Sequence, residues 1–587
     1  MPPKIFSVWK DFPSSLGSFL IRHKEILTLS FVWILMALLV DPRGEFPLND
    51  DWMYSHSVMT FLNERRFELF DWQAVTVLGQ VLWGAFFAKL FGFSMTTLRM
   101  STLVFGLFGV WSTYGLLRVS EASRRLSFWG ALTIATTPLY FGLANSFMTD
   151  VPFYALTVTS YLFLFRYVEK EKALDLAFGI FFACLAVLFR QLALVIPCSF
   201  GMGYLAAKNF SKKGWLVAFL QGGIVCGVLV AYHYWVEKNV GLPFMYRSKM
   251  LAFDSFFKSF GTPRFGEFSR HFFSMLSSTL NYLGLFLFPF LILGAVSYWK
   301  KLLKAERIFS CAIFCLQVGF MAWLRIVASI KVLLPSGSNY IYDFGFGPLM
   351  IYFGYEQMPV APASLWWGAT AIGVLGSGMI LTYFTMPLFR FLRTSPEERD
   401  LRRHWRWILC VSACAAYYFP WGISGHFDRY MTFYMPFIMI MALDQAGPIL
   451  KRHLYRLFPI AVFLMFLLGY FTVAGTHDYL SWNRTRWGIL RNLMSEKGVS
   501  PLRIDGGTEF NGWYTYHSYP DPIRVPFDPS YRKSFHKMWY WVYDDEFILS
   551  FKPLEGYHLL QTFFYSRWLP PYKAPPLLLL RRDEKGA

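Results

Sequence analysis

Two acidic stretches stand at the ends of hydrophobic segments in this chain. The first is Asn49-Asp50-Asp51, and the second places Asp150 in the sequence Met-Thr-Asp-Val-Pro. A carboxylate at a membrane boundary is costly to desolvate, so an acid in that position is a functional-site hypothesis by default. If both stretches face the same side of a membrane, the three carboxylates can meet in one pocket, where a carboxylate can act as a general base.

The composition of the chain indicates a membrane protein. Of the 587 residues, 55% are hydrophobic, 20% are aromatic and only 16% are charged, which is too apolar for a soluble protein of average composition. Nearly uncharged windows recur between residues 31 and 471, and each can cross roughly 30 Å of hydrocarbon. No small-residue cleavage site follows the first window, so we expect it to be retained as a span. The predicted fold class is an α-helical polytopic membrane protein.

The net charge of +19 would indicate a nucleic-acid partner in a soluble chain. In a membrane protein it is better explained by basic cytoplasmic loops beside anionic lipid headgroups. The expected partner is therefore membrane lipid, and no nucleic acid is expected. The seven cysteines fall inside predicted spans without a nearby His or acid, so we expect no metal site there. No cofactor is predicted, and a divalent cation at Asp50, Asp51 and Asp150 is the less favoured alternative.

The positive-inside rule orients the spans. If residues 75–93 form a helix along the interface, every loop on one side is basic, and that side is predicted to be cytoplasmic. Asp50, Asp51 and Asp150 then share the extracytoplasmic side. The thirteen expected spans lie at approximately residues 25–40, 96–117, 127–146, 151–168, 173–190, 191–207, 214–235, 273–298, 308–328, 365–389, 405–421, 430–447 and 456–474.

The composition changes after about residue 475. Residues 1–475 are predicted to form the transmembrane domain, with an acidic first outward loop and interfacial helices at 41–95. Residues 476–587 are predicted to form a small extracytoplasmic α+β domain. We expect a helix over residues 479–497 and strands near residues 502–505, 546–551 and 558–565.

The order of several short motifs resembles a known class of enzymes. The run from Asp50 to Tyr54, Asp-Asp-Trp-Met-Tyr, resembles the Asp-Glu-x-x-Tyr motif of GT-C type membrane glycosyltransferases. Arg99 near the start of a span, Asp150 before Val-Pro, and Arg429-Tyr430 before a Pro follow in the same order. The chain is most similar to the protein O-mannosyltransferase and lipid A aminoarabinose transferase group, over about residues 25–475.

The resemblance implies transfer of a hexose or pentose from a polyprenyl-phosphate donor to an acceptor hydroxyl, with inversion, on the outer face of the cytoplasmic membrane. The acceptor would be a protein, a lipid or a polysaccharide. Asp50 would be the base, with Asp51 and Asp150 as the other catalytic acids. The residues expected to bind the donor phosphate or sugar are Tyr54, Arg190, Gln191, Arg247, Lys249, Arg429 and Tyr430.

Two departures separate this chain from the aminoarabinose enzymes. Met53 stands where they carry an Arg, and residues 79–82, Gly-Gln-Val-Leu, stand where they carry Lys-Pro-Pro. These departures indicate a different donor pocket and argue against aminoarabinose as the sugar. Two other functions stay open, namely a non-enzymatic transporter or flippase of lipid-linked sugars and a lipid-linked oligosaccharide ligase.

Structural roles are the alternative for the same residues. Asp50, Asp51 and Asp150 could serve as helix caps and nothing more. Arg190 could simply extend from a helix end toward the interface, without a role in binding. His426 and Asp428 are expected to lie in a solvated outward turn beside Arg429.

Overall fold

The computed structural model describes residues 12–329, 331–336, 339–348, 351, 360–453, 457–518, 541–542 and 544–583. Helices dominate this part of the chain. They are α1 (Phe12–Val40), α2 (Asp51–Glu64), α3 (Leu78–Phe91), α4 (Met95–Val119), α5 (Arg124–Ala135), α6 (Pro138–Ala144), α7 (Asp150–Lys170), α8 (Ala173–Phe189), α9 (Val195–Ala207), α10 (Lys212–Asn239), α11 (Phe244–Lys258), α12 (Pro263–Lys301), α13 (Lys304–Ile326), α14 (Ala363–Arg393), α15 (Trp405–Ser424), α16 (Met435–His453), α17 (Phe458–Ser495) and α18 (Thr508–Thr515).

Within the described ranges, nine helical segments are long and apolar enough to cross a membrane. Three shorter apolar helices, α3, α8 and the segment ending in α9, accompany them. The predicted class, an α-helical polytopic membrane protein, is confirmed. The nine segments are His23–Val40, Met95–Val119, Asp150–Lys170, Lys212–Asn239, Pro263–Lys301, Lys304–Ile326, Ala363–Arg393, Leu401–Ser424 and Phe458–Ser495.

Three of the thirteen predicted spans are not single α-helices. The predicted span 191–207 begins as a 3-10 helix, Gln191–Leu194, and continues as α9. The predicted span 127–146 is split into α5 and α6, because Pro138 begins α6 and disfavours helical geometry in the residue before it. The predicted span 430–447 starts as a 3-10 helix, Asp428–Tyr434, and becomes α-helical only in α16. The predicted interfacial helix at 75–93 is α3, whose 14 residues extend only about 21 Å.

Small residues bring two long helices into backbone contact. A Cβ added at Gly284 of α12 would lie 2.1 Å from the Gly373 carbonyl oxygen of α14, and one at Gly376 would lie 2.2 Å from the Gly284 oxygen. Glycine is therefore required at this crossing, as at other close helix contacts in membranes.

Ion pairs connect the predicted basic loops at one end of the bundle. Arg406 contacts Glu121, Glu169 and Asp444, and Arg390 contacts Glu306 at 2.7 Å. Glu171 pairs with two lysines, Lys208 and Lys213. The loops that the charge pattern assigned to one side thus lie together, while the assignment of that side to the cytoplasm stays a prediction.

The carboxyl-terminal region adds a four-stranded sheet. The strands are β3 (Ile504–Asp505), β4 (Phe547–Ser550), β5 (Tyr557–Phe563) and β6 (Leu577–Arg582), following a short hairpin of β1 (Ile341–Tyr342) and β2 (Gly345–Phe346). The sheet order is β3-β4-β6-β5, with β3 and β4 parallel and the other pairs antiparallel. Three strands match the predicted positions. The fourth, β6, was missed because its four leucines carry no alternation and favour helix.

The helix predicted over residues 479–497 does not stand alone. It is the carboxyl-terminal half of α17, which runs unbroken from Phe458 to Ser495 and passes through the predicted domain boundary at residue 475. The last apolar segment and the carboxyl-terminal region therefore share one helix, and the sheet is connected to the bundle through it.

Candidate active site

Asp50 faces an arginine from the far end of the chain. It is the N-cap residue of α2, and its Oδ2 accepts a hydrogen bond of 3.1 Å from Arg429 Nη1, 379 positions away in the sequence. The Asp50 side chain is 26% exposed and that of Arg429 is 9% exposed. The Asp50 carboxylate is therefore partly accessible to solvent, whereas the Arg429 guanidinium is almost buried.

A second ion pair joins the start of α7 to the end of α8. Asp150 is the first residue of α7, and its Oδ2 lies 2.8 Å from Arg190 Nη2, with both side chains buried. Arg190, the C-cap residue of α8, also donates from Nε to Thr149 Oγ1 at 2.8 Å. In the described part of the chain neither Asp150 oxygen accepts a hydrogen bond of good geometry. The carboxylate relies mainly on the charge of Arg190.

Aromatic rings join the two ion pairs into one cluster. The guanidinium carbons of Arg190 and Arg429 lie 5.5 and 5.4 Å from the ring centroid of Tyr430, within the range of cation–π attraction. Trp421 stacks on Tyr430 at 3.9 Å, and Lys249 Nζ lies 4.5 Å from a Trp421 ring. Tyr430 is therefore the common neighbour of both cations.

Tyr54 lies in the field of the same four charges. It is buried in α2, and burial, with Asp50 adding to the effect, raises the pKa of Tyr54 far above its usual value. Arg429, Arg190 and Asp150 also act on it. The phenol therefore stays neutral and can donate a hydrogen bond.

Asp51, predicted as a catalytic acid, has a different environment from Asp50. Its Oδ1 accepts from the Leu48 amide at 2.5 Å and its Oδ2 accepts from the Phe147 amide at 2.9 Å. Burial raises the pKa of Asp51 to about 7. The structure does not bring Asp51 to either arginine of the cluster. It connects the start of α2 to the residues before α7.

The prediction that His426 and Asp428 lie in a solvated turn is wrong, because both side chains are buried. Asp428 accepts hydrogen bonds from the backbone amides of Asn339, Tyr340, Ile341 and Arg429, at 2.8 to 3.1 Å. Burial raises the pKa of Asp428 to about 6, and burial lowers the pKa of His426 to about 3. Asp428 thus connects the β1–β2 hairpin to the 3-10 helix Asp428–Tyr434, which contains Arg429.

Three of the predicted binding residues stand apart from the two ion pairs. Gln191 donates from its amide nitrogen to Thr76 Oγ1, not to Asp150. Lys249 on α11 reaches the cluster only through Trp421. Arg247, on the same helix, is exposed, so the structure does not bring it into the buried cluster.

Two neighbours of the cluster were missed at the level of sequence. Trp421 belongs to an aromatic run, Tyr417-Tyr418-Phe419-Pro420-Trp421, that ends close to Arg429, and this run was the signal that could have marked it. The second missed neighbour is Thr149. Its position directly before Asp150 did not indicate that it would contact Arg190.

The carboxylates of the site are occupied by protein groups. Asp50 and Asp150 each face an arginine, and Asp51 faces two amides. Across the described ranges, no group of three His, Cys, Asp or Glu side chains is placed to hold a metal ion. The expectation that no metal or cofactor is needed stays a prediction.

One family model matches the chain. It is the model for dolichyl-phosphate-mannose-protein mannosyltransferase, and it covers residues 81–235, a segment that contains Asp150, Arg190 and Gln191. The chain resembles a GT-C type membrane glycosyltransferase. This match confirms the resemblance inferred from the motifs.

Solved structures of ArnT from Cupriavidus metallidurans are similar over most of the chain. The structure bound to undecaprenyl phosphate has 10% sequence identity, with 95% of this chain and 97% of that chain covered and a TM-score of 0.46. The apo structure has 13% identity, 84% and 82% coverage and a TM-score of 0.33. A search of curated proteins found no match.

Proposed function

We propose that this protein transfers a sugar from a polyprenyl-phosphate donor to an acceptor hydroxyl on the outer face of the cytoplasmic membrane. The observation that carries the proposal is the meeting of the Asp50–Arg429 and Asp150–Arg190 pairs around Tyr430. Four chain segments that are remote in sequence supply two acids and two cations to one place. The family model that covers Asp150 and Arg190 supports the same reading.

The proposed reaction is a single inverting displacement. The acceptor oxygen attacks the anomeric carbon as its proton passes to an oxygen of Asp50. The new carbon–oxygen bond forms while the bond from the anomeric carbon to the phosphate oxygen breaks, and the electron pair leaves with the phosphate. Asp50 is the better placed acid because it is partly exposed, whereas Asp51 is buried against two amides.

The leaving phosphate gains negative charge, so it requires cations more than a general acid. Arg190 and Arg429 stay charged and can bind phosphate in a forked geometry. Arg429 Nε is buried and has no hydrogen-bond partner among the described residues. A donor phosphate oxygen could accept a hydrogen bond from this atom. Tyr54 can donate a further hydrogen bond from its neutral phenol.

An apolar groove beside Arg190 fits the donor chain. It has a volume of about 680 Å³ and is lined by side chains of α3, α4, α7 and α8, including Trp83, Phe105 and Phe189. Phe189 directly precedes Arg190 in the sequence. We propose that an isoprenoid chain lies in this groove with its phosphate toward Arg190, although Arg190 itself does not line the groove.

A second apolar groove favours a lipid as the acceptor. It has a volume of about 510 Å³ and lies between α12, α14, α17 and the β1–β2 hairpin. Tyr342 of β1 lines the groove and lies within electrostatic reach of Asp428 and Arg429. Tyr342 thus connects the groove to Arg429 of the ion-pair cluster, and acyl chains of an acceptor lipid could lie in the groove.

The lipid acceptor is tested by crosslinking a diazirine-bearing phosphatidylethanolamine to the full chain in vesicles. We expect labelled peptides from α14 and α17, and we expect Gly368→Phe, at the groove, to reduce the labelling. Gly223→Phe on α10 is the matched control, because neither glycine has an atom within 4 Å of an added Cβ. Complete competition by undecaprenyl phosphate would instead assign the groove to the donor.

A non-enzymatic transporter is the second candidate, and the positions of the charges disfavour it. Transporters tend to place charged groups at broken helices near the middle of the membrane. Here Asp50 precedes α2, Asp150 begins α7, Arg190 follows α8, and Arg429 lies before α16. All four stand at or beyond the ends of the predicted spans, and none lies near the middle of one. A lipid-linked oligosaccharide ligase shares the donor chemistry and differs in the size of the transferred unit.

Mass spectrometry of envelope glycans tests the proposed function. Cells without the gene should lose one sugar from an envelope component, and the wild-type gene, but not the Asp50→Asn gene, should restore it. Loss of a whole oligosaccharide would favour the ligase. Full restoration by the Asp50→Asn gene would contradict the proposed chemistry.

A further inference from the structure

The acidic turn that carries Asp50 is bound by a residue near the other end of the chain. The backbone amide of Asn49 donates a hydrogen bond of 3.0 Å to Glu509 Oε1, across 460 sequence positions. Glu509 lies in α18 of the carboxyl-terminal region. Asn49 immediately precedes Asp50, so this contact acts on the backbone that sets the direction of the Asp50 carboxylate.

Glu509 is itself held by a buried arginine. Its Oε2 accepts from Arg486 Nη1 at 2.9 Å, and both side chains are fully buried. Arg486 also donates from Nε to the Gly506 carbonyl at 2.8 Å. The pair thus connects α17, the turn before α18 and the acidic turn.

The acidic turn needs such support because its backbone is unusual. Asn49 has a φ of +57°, in the left-handed region that L-residues seldom occupy, although Asn is among the residues that tolerate it. Sparsely populated conformations persist where the surroundings determine them. The surroundings here are Glu509 on the Asn49 amide, Asp51 on the Leu48 amide, and Gly512 of α18, where an added Cβ would lie 2.6 Å from Trp52.

We propose that Glu509 is a positioning residue that acts through the Asn49 amide to keep Asp50 directed at the reacting atoms. The proposal rests on the proposed function and gives the carboxyl-terminal region a role in it. Arg486 orients Glu509, and Glu509 fixes the amide. Misplacing a catalytic group by about 1 Å can reduce the rate by about 100-fold, so a buried hydrogen bond one residue from the base can affect turnover.

Two double variants separate positioning from simple stability. Arg486→Met with Glu509→Leu removes the buried ion pair and also the acceptor for the Asn49 amide. Arg486→Met with Glu509→Gln removes the same pair and keeps an acceptor oxygen. Replacing a whole buried pair by groups of similar volume is often tolerated, whereas removing one partner leaves a buried charge. Both doubles are therefore expected to fold.

The first readout is hydrogen exchange at the Asn49 amide in the full chain, reconstituted in vesicles. We expect faster exchange in the Leu double than in the Gln double. The second readout is release of undecaprenyl phosphate from membrane-extracted undecaprenyl-phosphate sugars. We expect kcat of the Leu double to be about 10- to 100-fold below that of the Gln double, with a similar KM for the donor.

A matched control exists at the other end of the bundle. Glu306 accepts from the Leu303 amide through one oxygen and from Arg390 Nε through the other. Arg390→Met with Glu306→Leu should leave kcat unchanged. Equal kcat and equal Asn49 exchange in the two Glu509 doubles would overturn the positioning role. Failure of the proposed function is distinguishable, because the wild-type protein would release no undecaprenyl phosphate while the exchange difference remained.

Discussion

Carboxylate–arginine pairs occur at both ends of the helix bundle, but their surroundings differ. At the basic-loop end, Glu306 fills its oxygens with Arg390 and the Leu303 amide. At the other end, Asp150 has only the ion pair to Arg190, and Arg429 Nε has no hydrogen-bond partner in the described part of the chain. Buried polar groups are normally satisfied. We propose that the open atoms of Asp150 and Arg429 bind a ligand. Open atoms alone do not distinguish the two ends, because Arg406 Nε and Asp175 Oδ2 at the basic-loop end also lack a hydrogen-bond partner among the described residues.

The same contrast separates two neighbouring residues. Asp51 is completed by two backbone amides, whereas Asp50 is partly exposed and faces Arg429. We therefore expect Asp51 to fix the start of α2 and Asp50 to be available for chemistry.

Asp50→Asn keeps the size of the side chain and removes the proton acceptor. We expect turnover to fall by roughly 10²–10⁴, with donor binding and melting temperature nearly unchanged. Turnover and donor affinity measured on the same reconstituted sample separate chemistry from binding. Wild-type turnover in Asp50→Asn, together with loss of turnover in Asp51→Asn, would transfer the role to Asp51.

Arg429→Ala removes one cation from the expected position of the leaving phosphate. The transition state should lose on the order of 2–4 kcal/mol, as for loss of one donor to a developing oxyanion. Arg429→Lys should lose less, because it keeps the charge without the fork. Activity per folded molecule and melting temperature are measured together. A lower melting temperature with unchanged activity per folded molecule would make Arg429 a structural residue and would favour Arg190 as the phosphate ligand.

Asp51→Asn should change stability more than chemistry. It places an NH₂ group against a backbone N–H, which should cost about 1–3 kcal/mol of folding free energy. The pKa of Asp51 in the folded protein is raised to about 7 from 3.8. Between those pH values the folded state binds more protons than the unfolded state, so the free energy of unfolding should fall as pH rises. Thermal unfolding of Asp51→Asn at several pH values should show a weaker fall, and an identical pH dependence would contradict this assignment.

Lys213→Ala is the smallest expected change. Lys213 pairs with Glu171 at the exposed basic-loop end, where ion pairs contribute little because water and salt screen them. Melting temperature and transfer activity should both stay at wild-type values. A clear loss of activity would show that the basic-loop end is coupled to the site.

Sequence reasoning could predict the fold class, and the motifs supplied the acids and arginines of the site in their order along the chain. Long apolar windows indicate helices, and the positive-inside rule predicts that the basic loops lie on one side. The pairing of Asp50 with Arg429 depends on contacts across 379 positions, so the motifs supplied both residues but not their partnership. The difference between Asp50 and Asp51 was also out of reach, because it depends on the amides of Leu48 and Phe147. Nothing in the sequence near Glu509 points to Asn49.

The most direct test is the reaction itself in a defined system. The purified chain, reconstituted in vesicles with membrane-extracted undecaprenyl-phosphate sugars and envelope lipids, is followed by mass spectrometry of the lipid products. We predict that free undecaprenyl phosphate appears together with an equal amount of glycosylated acceptor, and that both are strongly reduced in Asp50→Asn. Release that is undiminished in Asp50→Asn, or movement of the donor across the bilayer without release of undecaprenyl phosphate, would contradict the account.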